Sequence, residues 1–83
     1  MIIRSQNKKN IANMNCIDTI TIIGEEIRYF YGSENGFGIL GYYSTEEKAI
    51  KVLDMIQKEY IRANDAYSGS LNIVFQMPQD SEV

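Results

Sequence analysis

The chain has 83 residues, 45% of them hydrophobic, with eight Lys+Arg against eleven Asp+Glu and a formal net charge of −3. That length makes one domain, and the acidic balance argues against binding DNA or RNA over the whole surface. One cysteine and no histidine exclude an internal disulfide and a zinc site.

A chain this short buries only about 60–65% of its unfolded surface, and its core supplies only a few kcal/mol of net stability. With neither disulfide nor metal to add to that, self-association as a homodimer or higher oligomer is the expected supplement. A single cysteine suits a reducing compartment. Met1-Ile2-Ile3-Arg4 lacks the apolar run of a signal peptide, and no stretch approaches the roughly 20 apolar residues of a membrane span. The expectation is a cytoplasmic protein with no membrane partner and no cofactor. Its charge is uneven. Residues 1–17 carry Arg4, Lys8 and Lys9 and no acid, whereas residues 64–83 carry Asp65, Asp80 and Glu82 and no base.

Met1 to Ser5 is short, apolar and β-branched, and reads as a first strand. Gln6-Asn7-Lys8-Lys9-Asn10 is turn chemistry. Ile11-Ala12 is ambiguous, and Asn13-Met14-Asn15 returns to turn residues. Ile17 to Ile23, rich in β-branched residues, is the clearest strand. Gly24-Glu25-Glu26 turns the chain into a third strand, Ile27 to Tyr31. Gly32-Ser33-Glu34-Asn35-Gly36 is a hairpin loop containing the Asn-Gly turn signal, and Phe37 to Tyr43 is the fourth strand.

Ser44-Thr45-Glu46-Glu47 then writes a helix start, with Ser44 as the expected cap, Glu47 reaching back to it, and both glutamates at the positive end of the dipole. The helix is expected from Thr45 to about Ala63. Ala49, Val52, Leu53, Ile56 and Tyr60 form one apolar stripe, widened by Ile50 and Ile61. Asn64-Asp65 ends it, and a loop follows to Ser70. Leu71 to Met77 reads as a fifth strand, stopped by Pro78. Residues 79–83 read as a frayed acidic tail. The order β-β-β-β-α-β predicts one α+β domain over residues 1–83: an antiparallel sheet of about five strands packed against one long helix.

Catalytic chemistry is thin. The commonest general base is missing. Cys16 has no histidine partner and reads as a packed or half-buried thiol. Glu25-Glu26 and Glu46-Glu47 have structural uses in a turn and a helix start. The glycines at 36, 38 and 41 are too sparse for a phosphate loop and read as spacing for close approach. The candidates for function are therefore binding residues. Arg4, Ser5, Gln6, Asn7 and Lys8 form the densest hydrogen-bonding run, and arginine takes phosphate bidentately. Arg28 lies mid-strand, where its stem either covers the sheet or enters a pocket. Tyr29 and Tyr31 share a strand face, while Tyr42 and Tyr43 close the fourth strand. Tyrosine suits a surface that stacks on a base or docks another subunit. The expected ligand-binding set is Arg4, Gln6, Lys8, Arg28, Tyr29 and Tyr42.

Three segments, IIRSQNKKNI, LGYYSTEEKAIKVLDMI and FQMPQD, resemble a family of small uncharacterised proteins of Gram-positive bacteria, their prophages and phages. Its pattern runs I-x-S-Q-(D/N)-K, then LG-x-Y-(S/K)-TEE-x-A-x-x-VL, then F-x-MP. Residues 24–36 and 64–70 resemble its variable region. The phage association implies a non-enzymatic anti-defence protein. The leading expectation is a sponge that sequesters a phosphate-bearing nucleotide signal, such as a cyclic nucleotide or an ADP-ribose derivative, at a subunit interface. The alternatives are an inhibitor that blocks a host defence protein with its acidic surface, or a structural interaction module.

Overall fold

The computed structural model describes residues 1–32, 36–63 and 73–83. The Asn35-Gly36 turn, the end of the helix at Asn64-Asp65, the loop to Ser70 and the Leu71-Asn72 strand start fall wholly or partly outside them. The helix, α1, spans Glu46–Ala63. Its cap is Thr45, whose Oγ1 accepts the Lys48 N–H at 3.1 Å. The expected Ser44–Glu47 capping box therefore does not form. The physical reason is that the Ser44 N–H donates to the Asp80 carboxylate at 2.7 Å, which holds Ser44 outside the first turn. Ala49, Val52, Ile56 and Ala63 are buried along α1. Tyr60, expected within that stripe, lies at its margin, 39% exposed.

The strands number six among the described residues and form two sheets. In the first, β1 (Ile2–Arg4) pairs antiparallel with β2 (Ile11–Asn13) and parallel with β6 (Val74–Gln76). The second is an antiparallel meander of β3 (Thr19–Ile23), β4 (Glu26–Phe30) and β5 (Phe37–Tyr42). The single five-stranded antiparallel sheet is thus corrected to two three-stranded sheets, one of them mixed. The 5–10 turn folds Ile11–Asn13 back onto β1. The sequence leaves Ile11-Ala12 ambiguous because the strand is short and buries only Ala12. The return to β6 crosses over by way of α1, and a parallel pair requires such a long connection.

The two sheets and α1 share one core: Ile3, Ala12 and Phe75 from the first sheet, Ile27 and Leu40 from the second, Ala49, Val52 and Ile56 from the helix, and Tyr43 and Met77 from the flanking segments. Ile3, Ile27, Leu40, Val52 and Met77 are each 2% exposed or less. Burial of one such side chain contributes about 1.5–3 kcal/mol, so these five carry much of the apolar stabilisation. Ile20, Ile22 and Tyr29 pack at its edge. Gly38 sits opposite Tyr29 in the β4–β5 register, and a Cβ there would clash with the tyrosine ring. Glycine at 38 thus lets the Tyr29 ring lie across β5, where it also stacks on Tyr31 at 5.8 Å. No helix among the described residues is long and apolar enough to cross a membrane.

Candidate functional site

The polar run at residues 4–10 is mainly a structural junction. Ser5 is 1% exposed. Its hydroxyl donates to Asn7 Oδ1 at 2.7 Å and accepts the Asn10 N–H at 3.1 Å. Lys8 turns the chain with φ of 66°, a conformation costly for most side chains. Its carbonyl accepts from Arg4 Nε at 3.2 Å. Gln6 is a clasp. Its Oε1 accepts the Tyr42 N–H at 2.9 Å, and its Nε2 donates to the Tyr42 and Pro78 carbonyls at 2.9 and 3.3 Å. Its own N–H donates to the Leu40 carbonyl at 2.7 Å. The expected ligand-reading amide therefore closes the free edge of β5 instead.

The C-terminal segment completes the junction. The Tyr43 hydroxyl donates to the Pro78 carbonyl at 2.7 Å, and Gln79 Nε2 donates to the Gln6 carbonyl at 2.8 Å. Lys48 Nζ donates to the Asp80 carbonyl at 3.0 Å. Asp80–Glu82 forms a 3-10 turn, and the Gln79 N–H donates to Glu82 Oε1 at 2.7 Å. Residues 79–83, expected to fray, are docked by these bonds. Burial, then the Asp80 and Glu82 carboxylates, push the Tyr43 phenol well above the usual tyrosine range. The Ser44 N–H, then the Ser44 hydroxyl and Lys48, hold the Asp80 carboxyl below the usual carboxylate range against the opposing effect of desolvation.

The second sheet carries the surface not used in this way. Its face turned from the core displays alternate residues of each strand, a consequence of the two-residue period. Thr21 is opposite Arg28, Arg28 opposite Ile39, and Phe30 opposite Phe37. Arg28 pairs with Glu26 at 2.5 Å, and its guanidinium lies 5.0 Å from the Phe37 ring centroid. The Phe30 and Phe37 centroids are 5.9 Å apart. Ile23, Phe37 and Tyr42 are 42%, 47% and 54% exposed. Beside this face, a groove of about 320 Å³ runs along β5, lined by Gln6, Asn7, Asn10, Phe37 and Tyr42 among others.

Of the expected binding residues, Gln6 and Tyr42 meet in that groove. Arg4 and Lys8 share the turn behind it, and Arg28 lies on the outer face, joined to the Tyr42 end through Glu26. Tyr29 packs against the core on the opposite face. Arg28 covers the sheet rather than entering a pocket. Glu26, Phe30 and Phe37 were not singled out by sequence reasoning. The alternation in Glu-Ile-Arg-Tyr-Phe was the available signal, since it places Glu26, Arg28 and Phe30 together. Cys16 is exposed, not packed. Among the described residues no group of three or more Cys, Asp and Glu side chains is placed to hold a metal. Comparison with protein-family models, with curated proteins and with solved structures gives no match.

Proposed function

We propose that the protein acts by binding and not by catalysis, and that the outer face of β3–β5 covers a surface of a partner protein. The observation that carries this reading is the set of exposed apolar side chains, Ile23, Phe37 and Tyr42, around an arginine already fixed by Glu26 and Phe37. Tyrosine, phenylalanine and arginine are the side chains that anchor protein interfaces, and a preformed Arg28 loses little freedom on docking. In the setting implied by the family resemblance, the partner is a host defence protein and the effect is blockade. Phe37→Glu should weaken capture of that partner by about thirtyfold, the equivalent of a 2 kcal/mol hot spot, with an unchanged circular dichroism spectrum. Equal capture by the Phe37→Glu variant would end this reading.

A second reading rests on the groove beside β5. The amides of Gln6, Asn7 and Asn10 beside the Phe37 and Tyr42 rings suit a planar polar ligand such as a nucleotide base. Arg4 and Lys8 on the adjoining turn would meet its phosphates. The measurement is thermal shift and titration calorimetry with cyclic dinucleotides and ADP-ribose derivatives. A shift present in the unmutated protein and lost in both Tyr42→Ala and Arg4→Ala would favour this reading over the first.

A further inference from the structure

The two edges of the second sheet are treated differently. Gln6 closes the free edge of β5 with its backbone and side chain. At the other end of the sheet, β3 pairs only with β4 among the described residues. Its five residues, Thr19-Ile20-Thr21-Ile22-Ile23, are all β-branched and contain no charge and no proline, and the β3–β4 register is unbroken. Edge strands that stay single are usually blunted by charge, proline, a bulge or brevity, and β3 has none of these devices. The turn into β4 fixes which peptide groups lie on the open edge. Gly24, with φ of 61°, begins a two-residue hairpin turn, so Ile23 and Glu26 close it as a hydrogen-bonded pair. Alternation then directs the Thr19 and Thr21 peptide groups to β4 and those of Ile20 and Ile22 outward.

We propose that β3 pairs antiparallel with β3 of a second copy of this chain, about a two-fold axis at Thr21. The two three-stranded sheets become one six-stranded sheet. The strand is self-complementary in this register. Thr21 faces the partner's Thr21, and Ile20 faces the partner's Ile22. The outward peptide groups of Ile20 and Ile22 match in four hydrogen bonds, and no like charges oppose.

The area argument points to the same occupant. A strand edge alone buries little, and a standard interface takes about 800 Å² per partner, roughly a seventh of this chain's 5577 Å². The remainder is available beside β3. An apolar groove of about 310 Å³ runs between Ile17–Ile20 and the helix, where Met14, Leu53 and Tyr60 line it. Ile50 and Ile61 lie three and four residues from the groove residues Leu53 and Gln57, on the same flank of α1. They are 45% and 63% exposed. A two-fold axis normal to a continuous sheet puts both helices on one side of it, antiparallel to each other. These flanks then face each other across the axis, which no unrelated strand partner would guarantee. The proposal does not rest on the partner-protein reading, because it uses the peptide edge of β3 and that reading uses the outer face of the sheet.

The test is sedimentation velocity from low to high micromolar concentration. The unmutated chain should dimerise. Thr21→Lys and Thr21→Glu, each alone, should weaken dimerisation at least about tenfold by setting like charges opposite each other. Mixing the two variants in equal amounts should restore a dimer, which only a two-fold contact at this residue predicts. Independently, Thr21→Cys in a Cys16→Ser background should form a disulfide-linked dimer on mild oxidation. Opposed Cα atoms of a non-hydrogen-bonded pair lie about 4.5 Å apart, within disulfide range. An unmutated chain that stays monomeric throughout overturns the proposal, as do charged variants that dimerise as tightly as the parent, or a Thr21→Cys protein that gives no cross-link.

Discussion

Gln6 offers the sharpest test of the junction, because its side chain was expected to read a ligand and instead bonds two backbone segments. Gln6→Ala removes three hydrogen bonds, two from Nε2 and one to Oε1. The Gln6 N–H to Leu40 and the Gln79 bond to the Gln6 carbonyl involve only the backbone of residue 6, so alanine keeps them. Each lost bond is worth about 0.5–1.5 kcal/mol net, and the Tyr42 peptide lies near water, so the sum is about 1.5–3 kcal/mol. For a domain of this size that lowers Tm by about 10 °C. Gln6→Glu should be worse than alanine. It keeps an acceptor for the Tyr42 N–H but sets a carboxylate against the Tyr42 and Pro78 carbonyl oxygens where two donated bonds had been. The assay is urea unfolding followed by circular dichroism and tyrosine fluorescence at one fixed protein concentration. A Gln6→Ala loss below about 0.5 kcal/mol would refute the clasp, since it lies under the range for three lost hydrogen bonds, and so would a Gln6→Glu protein as stable as Gln6→Ala, since the carboxylate would then meet no opposing carbonyls.

Three further outcomes follow from the same contacts. Thr45→Ala should cost about 1 kcal/mol by loss of the helix cap, and Ser44→Ala less, because alanine keeps the N–H that bonds Asp80; chemical denaturation of the pair decides which residue is the cap. The Tyr43 phenol has its folded pKa raised, so the folded state holds the proton longer than the unfolded chain. Stability is whole below about pH 10 and falls as pH rises beyond it. Tyr43→Phe should lower stability at neutral pH and show a shallower alkaline decline than the parent in pH-dependent melts. Asp80 has its folded pKa depressed, so its contribution is present at neutral pH and is lost as pH falls below about 4. Asp80→Asn should be less stable at pH 7 and should converge on the parent in acid.

The helix and the second sheet were legible because their signals are local. The apolar stripe at 49, 52, 53 and 56 and the β-branched run at 19–23 name their elements without knowledge of the rest of the fold. In the first sheet β1 and β6 were legible as strands, within Met1–Ser5 and Leu71–Met77, but their pairing was not. Ile11–Asn13 is three residues long, too short for a period to show, and the partner that β1 takes on its other side, Val74–Gln76, lies at the far end of the chain. The same distance hid the junction. Nothing local tells Gln6 from a surface glutamine, because its partners Tyr42 and Pro78 lie 36 and 72 residues away. The three segments that carried the family resemblance turn out to meet one another. Ser5-Gln6-Asn7, Tyr43 to Lys48 and Gln76 to Asp80 share one hydrogen-bond network, so those motifs mark what holds this fold together. Of the side chains that carry the functional proposal, Ile23, Arg28 and Phe37 lie outside those segments and Tyr42 lies within one.

The two proposed surfaces share β3, and that makes their tests informative together. Pairing at Thr21 would bring the outer faces of two copies side by side on the side of the sheet away from the helices. Phe37 lies on β5, at the far edge from β3. Phe37→Glu should therefore weaken partner capture about thirtyfold and leave the dimer's sedimentation unchanged. Thr21→Lys should dissociate the dimer, and its effect on capture reports how the partner docks. A partner that spans both copies gains from the high effective concentration of the second face, and its apparent affinity should fall by 10²-fold or more, roughly, when that face is removed. A partner held by one face should keep its affinity per subunit. Biolayer interferometry at low surface density, with the unmutated chain and both variants, separates these cases. Loss of the dimer in Phe37→Glu would mean that β5 takes part in self-association and that the division of labour between the two surfaces is wrong.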